Sequence, residues 1–281
     1  MCKIAVIGIC GNSVFMEVDH FHQPGETLSA KSVFEEIGGK GINQAIAAAR
    51  MGASVSFLAA IGDDAEGVAC KKVAEENGIC GCFPVKQGKR TPLAFILTDV
   101  QGENQVTVHK SAELTANDVF GFENSIAESD VLLLQQEVPT EVNECALKIA
   151  HKHGVKVILN PAPARAISAE MAKNIFLVTP NEQEAMELEE KYFKNCITTL
   201  GDKGCNINGV THLQATRVQV VDTTGAGDTF NGVLAVCLAE GKSMEEACRY
   251  AITASGLSVT KPHVLDAIPR RTEIERKMYD E

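Results

Sequence analysis

Four consecutive residues, Gly225-Ala226-Gly227-Asp228, sit where a β-branched run, Val218 to Val221, gives way to a stretch with helical periodicity. In that stretch Phe230, Val233, Leu234, Cys237 and Leu238 share one face, and Gly241 stops the helix. Small residues at a strand-to-helix junction let a phosphate approach the main chain, where the first free N–H groups of the helix point at it. That pattern describes an anion hole. Asp228 then has two readings, a first-turn carboxylate that complements the helix dipole or an acceptor for the proton of an attacking hydroxyl.

Other chemistries are poorly served. Gly8-Ile-Cys-Gly lacks the spacing of a dinucleotide fingerprint, and Gly241-Lys242-Ser243 lacks the upstream glycine of a P-loop. Ten cysteines in 281 residues are too dilute for a disulfide framework; Cys237 and Cys248 fall on apolar helical positions, and Cys80 and Cys82 have no second pair to complete a zinc site. The His20/His22 and His151/His153 pairs lack a third ligand nearby and read as surface or loop histidines.

The segment Val221-Asp-Thr-Thr-Gly-Ala-Gly-Asp-Thr-Phe-Asn-Gly232 resembles the C-terminal signature of the ribokinase-like (phosphofructokinase B, PfkB) carbohydrate kinases. Gly38-Gly39-Lys40-Gly41-Ile42-Asn43-Gln44-Ala45 is similar to the N-terminal motif of that family, while Asn160-Pro-Ala-Pro-Ala-Arg165 and Thr179-Pro-Asn-Glu-Gln-Glu184 are closest to its ribokinase branch. The match is collinear from about Lys3 to Pro269. The resemblance implies an ATP-dependent kinase that phosphorylates a hydroxymethyl group of a small sugar or sugar-like compound: ribose-like, a nucleoside or a fructosamine. It makes Asp228 the general base and gives the amides of Gly225, Ala226 and Gly227 the charge on the transferring group. Asn181 and Glu184 would hold Mg2+ and the phosphates, chiefly through water; Thr199 and Gly201 would touch the nucleotide; Ser13, Gly39, Lys40, Asn43 and Glu137 would take the sugar. Asp222 and Thr224 fall where the family binds an activating K+.

Four departures from the family pattern bear on this expectation. Ser13 replaces the carboxylate that grips sugar hydroxyls, which changes substrate choice more than phosphoryl transfer. The chain is shorter before Ile197, Ile252 replaces a polar residue near the adenine, and Lys261-Pro-His-Val-Leu-Asp266 replaces the loop that completes the K+ site. A catalytically weak sugar- or nucleotide-binding regulatory protein with the same fold is the competing expectation.

Elements that would position these groups follow from periodicity. Lys3 to Ile9, Val55 to Ala60, Val131 to Leu134, Lys156 to Leu159 and Phe176 to Thr179 read as buried strands. Helices over Ile42 to Met51, Ala65 to Asn77, Thr140 to His153 and Met244 to Thr260 alternate with them, and an acidic helix follows over 182–190. Alternation of this kind gives an α/β fold, three layers α/β/α around a mostly parallel sheet. Residues 1–13, 38–90 and 110–281 are expected to form that body. Segments 14–37 and 91–109, with turns at Gln23-Pro24-Gly25 and Gln101-Gly102, are expected to form a small inserted β-sheet lid that closes on ligand and pairs two subunits.

Composition sets the outer limits. At 45% hydrophobic and 22% charged, the chain has a sizeable core, and 26 basic against 37 acidic residues give a net charge of −11, the wrong sign for nucleic acid. The longest apolar run, Val233 to Ala239, falls far short of a membrane span, and no basic, apolar leader opens the chain, so a cytoplasmic protein is expected.

Overall fold

The computed structural model describes residues 1–189 and 192–280. Six strands form a central sheet in the order Leu177–Val178, Lys156–Asn160, Val131–Gln135, Lys3–Ile7, Ser54–Leu58 and Cys80–Cys82. Every neighbouring pair is parallel. Both faces are covered, so the strands are apolar on both sides: Ile4 and Val6 join one core and Ala5 and Ile7 the other, with Val131 and Leu133 opposed to Leu132 and Leu134 in the same way. Full burial of each such Ile or Leu contributes about 1.5–3 kcal/mol.

Helices Lys40–Arg50, Ala65–Glu76, Ala226–Ala239, Met244–Ser258 and Arg271–Tyr279 contribute to the first core. The second core is closed by Ala116–Gly121, Glu123–Ala127, Thr140–His153 and Ala169–Ala172. Helices Lys40–Arg50 and Ala226–Ala239 approach backbone to backbone: a Cβ on Gly232 would lie 2.5 Å from the carbonyl oxygen of Gln44 and 2.6 Å from Ala47 Cβ. Only glycine permits that approach, and it sets Asn43 and Gln44 beside Asp228.

Strand order runs outward in both directions from Lys3–Ile7, with Ser54–Leu58 on one side and Val131–Gln135 on the other. A crevice outside the carboxyl ends of strands at such a reversal is where doubly wound sheets take ligands. The chain leaves those two strand ends as Gly8 and as Gln136-Glu137.

A second sheet lies outside this body, in the order Ser32–Gly38, Gly11–Glu17, Leu93–Thr98 and Asn104–His109. The two chain segments expected to form a small separate sheet therefore do pair, through the parallel contact of Gly11–Glu17 with Leu93–Thr98. The sheet extends past the expected limit of 14–37 at both ends.

Three expectations are corrected. Val218 to Val221 is no strand; Val220 and Val221 are 55% and 59% exposed, and the Val221 amide donates to Val259 O at a helix end instead of to a ladder. The acidic helix is one short piece, Glu182–Met186, and residue 190 lies outside the described residues. The fifth strand is shorter, Leu177–Val178. Unforeseen are the final helix and an antiparallel sheet of Ile197–Thr199, Cys205–Ile207 and Thr211–Leu213. No described helix is long and apolar enough to cross a membrane.

Candidate active site

Asp228 is the third residue of helix Ala226–Ala239 and is buried, only 6% exposed. A carboxylate in such a place needs donors. Its Oδ2 accepts from Asn43 Nδ2 at 2.9 Å and its Oδ1 from Gln44 Nε2 at 3.0 Å. Each oxygen keeps a lone pair that can meet a substrate hydroxyl.

The carboxylate dictates a wider network. Because it only accepts, Gln44 must turn its amide nitrogen toward Asp228, leaving Gln44 Oε1 to accept from Gln135 Nε2 at 2.7 Å. Gln44 Nε2 also reaches Asn160 Oδ1 at 3.2 Å; Asn160 Nδ2 donates to Thr179 O, Thr179 Oγ1 to Asn231 Oδ1, and Asn231 Nδ2 to Gly227 O. The base and the helix opening are thus braced by one buried chain of amides. Gln44, Gln135, Asn160, Thr179 and Asn231 were not singled out from the sequence as site residues. A readable signal existed, since Gln135 and Asn160 are the polar residues that close two apolar strands.

At the helix opening Gly225 adopts φ 75°, and the Ala226 amide donates to Thr223 O at 3.2 Å. Ala226 is therefore partly engaged within its own turn, whereas the Gly225 and Gly227 amides have no acceptor among the described residues. The three amides expected to face the transferring group thus differ in how far they are engaged. Ala226 and Gly227 line a cleft of about 570 Å3 together with Thr199, Gly201, Phe230 and Ile252. Asn181 bridges to Thr199 at its rim and forms a reciprocal cap with Glu184: Asn181 Oδ1 accepts the Glu184 amide at 2.8 Å, and Glu184 Oε2 the Asn181 amide at 2.9 Å.

On the other side of Asp228 stand Lys40 and Glu137. The Lys40 amide donates to Glu137 Oε2 at 2.9 Å. The Asp228 charge pushes the Lys40 ammonium above its ordinary range, aided by Glu137 and Glu184 and opposed by burial. Burial pushes the Glu137 carboxyl up, against the charge and amide of Lys40. Gly39, at φ 109°, opens helix Lys40–Arg50. Ser13 is buried on strand Gly11–Glu17, with Oγ 2.6 Å from where a Cβ on Gly38 would stand, next to this group. The geometry joins an anion-binding helix start, a buried carboxylate and a polar pocket.

Asp222 and Thr224, expected at a cation site, share one hydrogen-bonded turn. Asp222 Oδ1 accepts the Thr224 amide at 2.9 Å and Oδ2 the His263 amide at 3.0 Å. One donor on each oxygen leaves each a further lone pair, as at Asp228, so the turn neither builds nor closes a K+ site. Glu184 Oε1 accepts no hydrogen bond among the described residues and is an oxygen of the kind Mg2+ takes; no cluster of three His, Cys, Asp or Glu side chains that could hold a metal is found among them.

Residues 1–271 match the model of the pfkB family carbohydrate kinases. A ribokinase of Haemophilus influenzae is 38% identical over 295 residues, covering 96% of each chain. Among solved structures, a ribokinase from Thermotoga maritima superposes with a TM-score of 0.88 at 35% identity, covering 99% of this chain and 100% of that one. Arabidopsis thaliana ribokinase complexed with ribose and ATP gives 0.84 at 29% identity, covering 98% of each chain.

Proposed function

The chain belongs to the pfkB family and is an ATP-dependent carbohydrate kinase, and from that premise we propose that its acceptor is the hydroxymethyl group of ribose or a close pentose analogue. The observation that carries this reading is the placement of Asp228: buried, held by Asn43 and Gln44, and one residue beyond the unengaged Gly227 amide that lines the large cleft. ATP occupies the cleft through Thr199 and Gly201, with its γ-phosphate at the Gly225 and Gly227 amides. The sugar lies against Gly39, Lys40, Asn43, Glu137 and Ser13. Its hydroxyl gives a proton to Asp228 as the oxygen attacks the γ-phosphorus, and the bond to the bridging oxygen breaks to leave ADP. Mg2+, when bound near Asn181 and Glu184, neutralises phosphate charge.

The outer sheet is the lid over the sugar. One face carries Ser13, Phe15, Phe34 and Glu36, with Ser13 buried and Val106 58% exposed; the opposite face exposes Val33 at 60% and Phe95 at 41%. Exposed apolar side chains on both faces of this sheet support pairing of two copies through their lids; a monomer by light scattering would refute the pairing alone. The reaction is tested by ADP release with ATP and Mg2+ against D-ribose, 2-deoxyribose, hexoses, nucleosides and fructosamines. Preference for ribose or another pentose supports the reading, whereas turnover confined to hexoses or nucleosides overturns the proposed acceptor.

A further inference from the structure

The loop 263–265 touches the lid on one side and the phosphate end of the site on the other. Glu36, opposite Ser13 across the strand pair, accepts the Val264 amide at 2.9 Å through one carboxylate oxygen and the Leu265 amide at 3.1 Å through the other. The His263 ring stacks on Phe34, centroids 3.5 Å apart at 15°, and meets Phe15 edge-on at 6.2 Å. On its far side the loop gives the His263 amide to Asp222, which in turn accepts the Thr224 amide. Val264 covers Gly225 so closely that a Cβ there would lie 2.5 Å from Val264 Cγ1.

We infer that Glu36 is a positioning residue for phosphoryl transfer, which, by gripping the 263–265 loop, ties the seating of the lid over the sugar to the placement of the Gly225–Gly227 amides. The inference rests on the kinase reading of those amides. Glu36 lies away from the reacting atoms and acts only through the loop. Two amides on one carboxylate fix the loop in two directions, and the charge strengthens both bonds. Burial pushes the Glu36 carboxyl upward, and the two amides oppose that shift.

Glu36→Gln keeps the shape but sets an NH2 group against one of the two amides. Loss of a hydrogen bond to a charged group is worth about a ten- to hundredfold change in an equilibrium or rate. The expected result with ATP and D-ribose is a sugar KM raised about tenfold or more and a kcat lowered about tenfold, with the ATP KM unchanged within about twofold. A merely structural defect reduces the folded fraction, which lowers kcat and leaves both KM values alone. Phe34→Leu, at a partly exposed ring that stacks on His263 and meets Phe15, gives the same split at smaller size and serves if Glu36→Gln does not fold. An unchanged sugar KM in the folded variants, or equal rises in both KM values, overturns the inference. A wild-type protein inactive on every sugar overturns the kinase reading instead, before any variant is compared.

Discussion

Replacing Gly227 by alanine sets stability and activity against each other. Gly227 is the second residue of helix Ala226–Ala239, and a Cβ built there meets nothing within 4 Å. No protein atom resists the methyl group, so the substitution reduces the freedom of the unfolded chain and stabilises the fold by about 0.4–1 kcal/mol. For a chain of this size that raises Tm by about 1–4 °C. The empty space is where the transferring phosphoryl group must approach the Gly227 amide, about 2.7–3.1 Å from its nitrogen. Loss of one such donor costs about 10²–10³ in kcat. Gly225→Ala behaves oppositely in the melt: at φ 75°, with Val264 Cγ1 2.5 Å from the new Cβ, it loses stability as well as activity. Thermal melts beside a coupled ADP assay read both quantities. Gly227→Ala enzyme that melts higher and keeps more than half of the wild-type kcat would refute the assignment of that amide to the transition state.

Asp228→Asn lowers kcat by about 10²–10⁴ while ADP affinity by calorimetry stays within about twofold; a loss under tenfold removes Asp228 from the role of base. Asp64 caps helix Ala65–Glu76 and accepts from the Gly67 and Thr91 amides and the Thr91 hydroxyl; burial raises its carboxyl, but these bonds outweigh it and hold the group below the ordinary aspartate range. Its stabilisation is therefore full above the unfolded value near ~3.9 and fades as pH falls through the lower folded value, so Asp64→Asn weakens the protein at pH 7 and flattens the acid limb of urea-denaturation stability. An acid limb as steep as that of the wild type counts against this account.

What the sequence made legible was chemistry written in contiguous residues. The helix opening at Gly225 to Asp228 and the Gly39 to Asn43 segment announce themselves because phosphate and sugar sites need small and polar residues in a row, and the structure brings both to one place. The amides behind Asp228 were not legible, because Gln44 and Gln135 meet across 91 positions, and the close approaches at Gly232 and at Gly8 that bring Gln44 to Asp228 and to Gln135 join distant segments. Val218 to Val221 misled for a related reason: β-propensity describes a half-buried pleated surface, and without an adjacent ladder a valine-rich run stays irregular. In each case the residue type was readable and the partner was not.

The same distinction decides what Ser13 means. A carboxylate returned at position 13 would stand directly opposite Glu36 on the same face of an antiparallel pair, where Ser13 is buried and Glu36 half-buried. Like charges so placed destabilise by about 0.2–1 kcal/mol even on an open sheet, and partial burial adds to that. Ser13→Asp should therefore lower stability to urea, and adding Glu36→Gln should recover part of the loss, a coupling that two independent sites would not give. Should Ser13→Asp prove as stable as the wild type, the two positions do not share a field and the argument fails. If the coupling is found, the lid of this chain tolerates one carboxylate across this strand pair. Glu36, committed to the 263–265 loop, is then the reason that Ser13 is neutral, and sugar preference is shaped by the same residue that secures the lid.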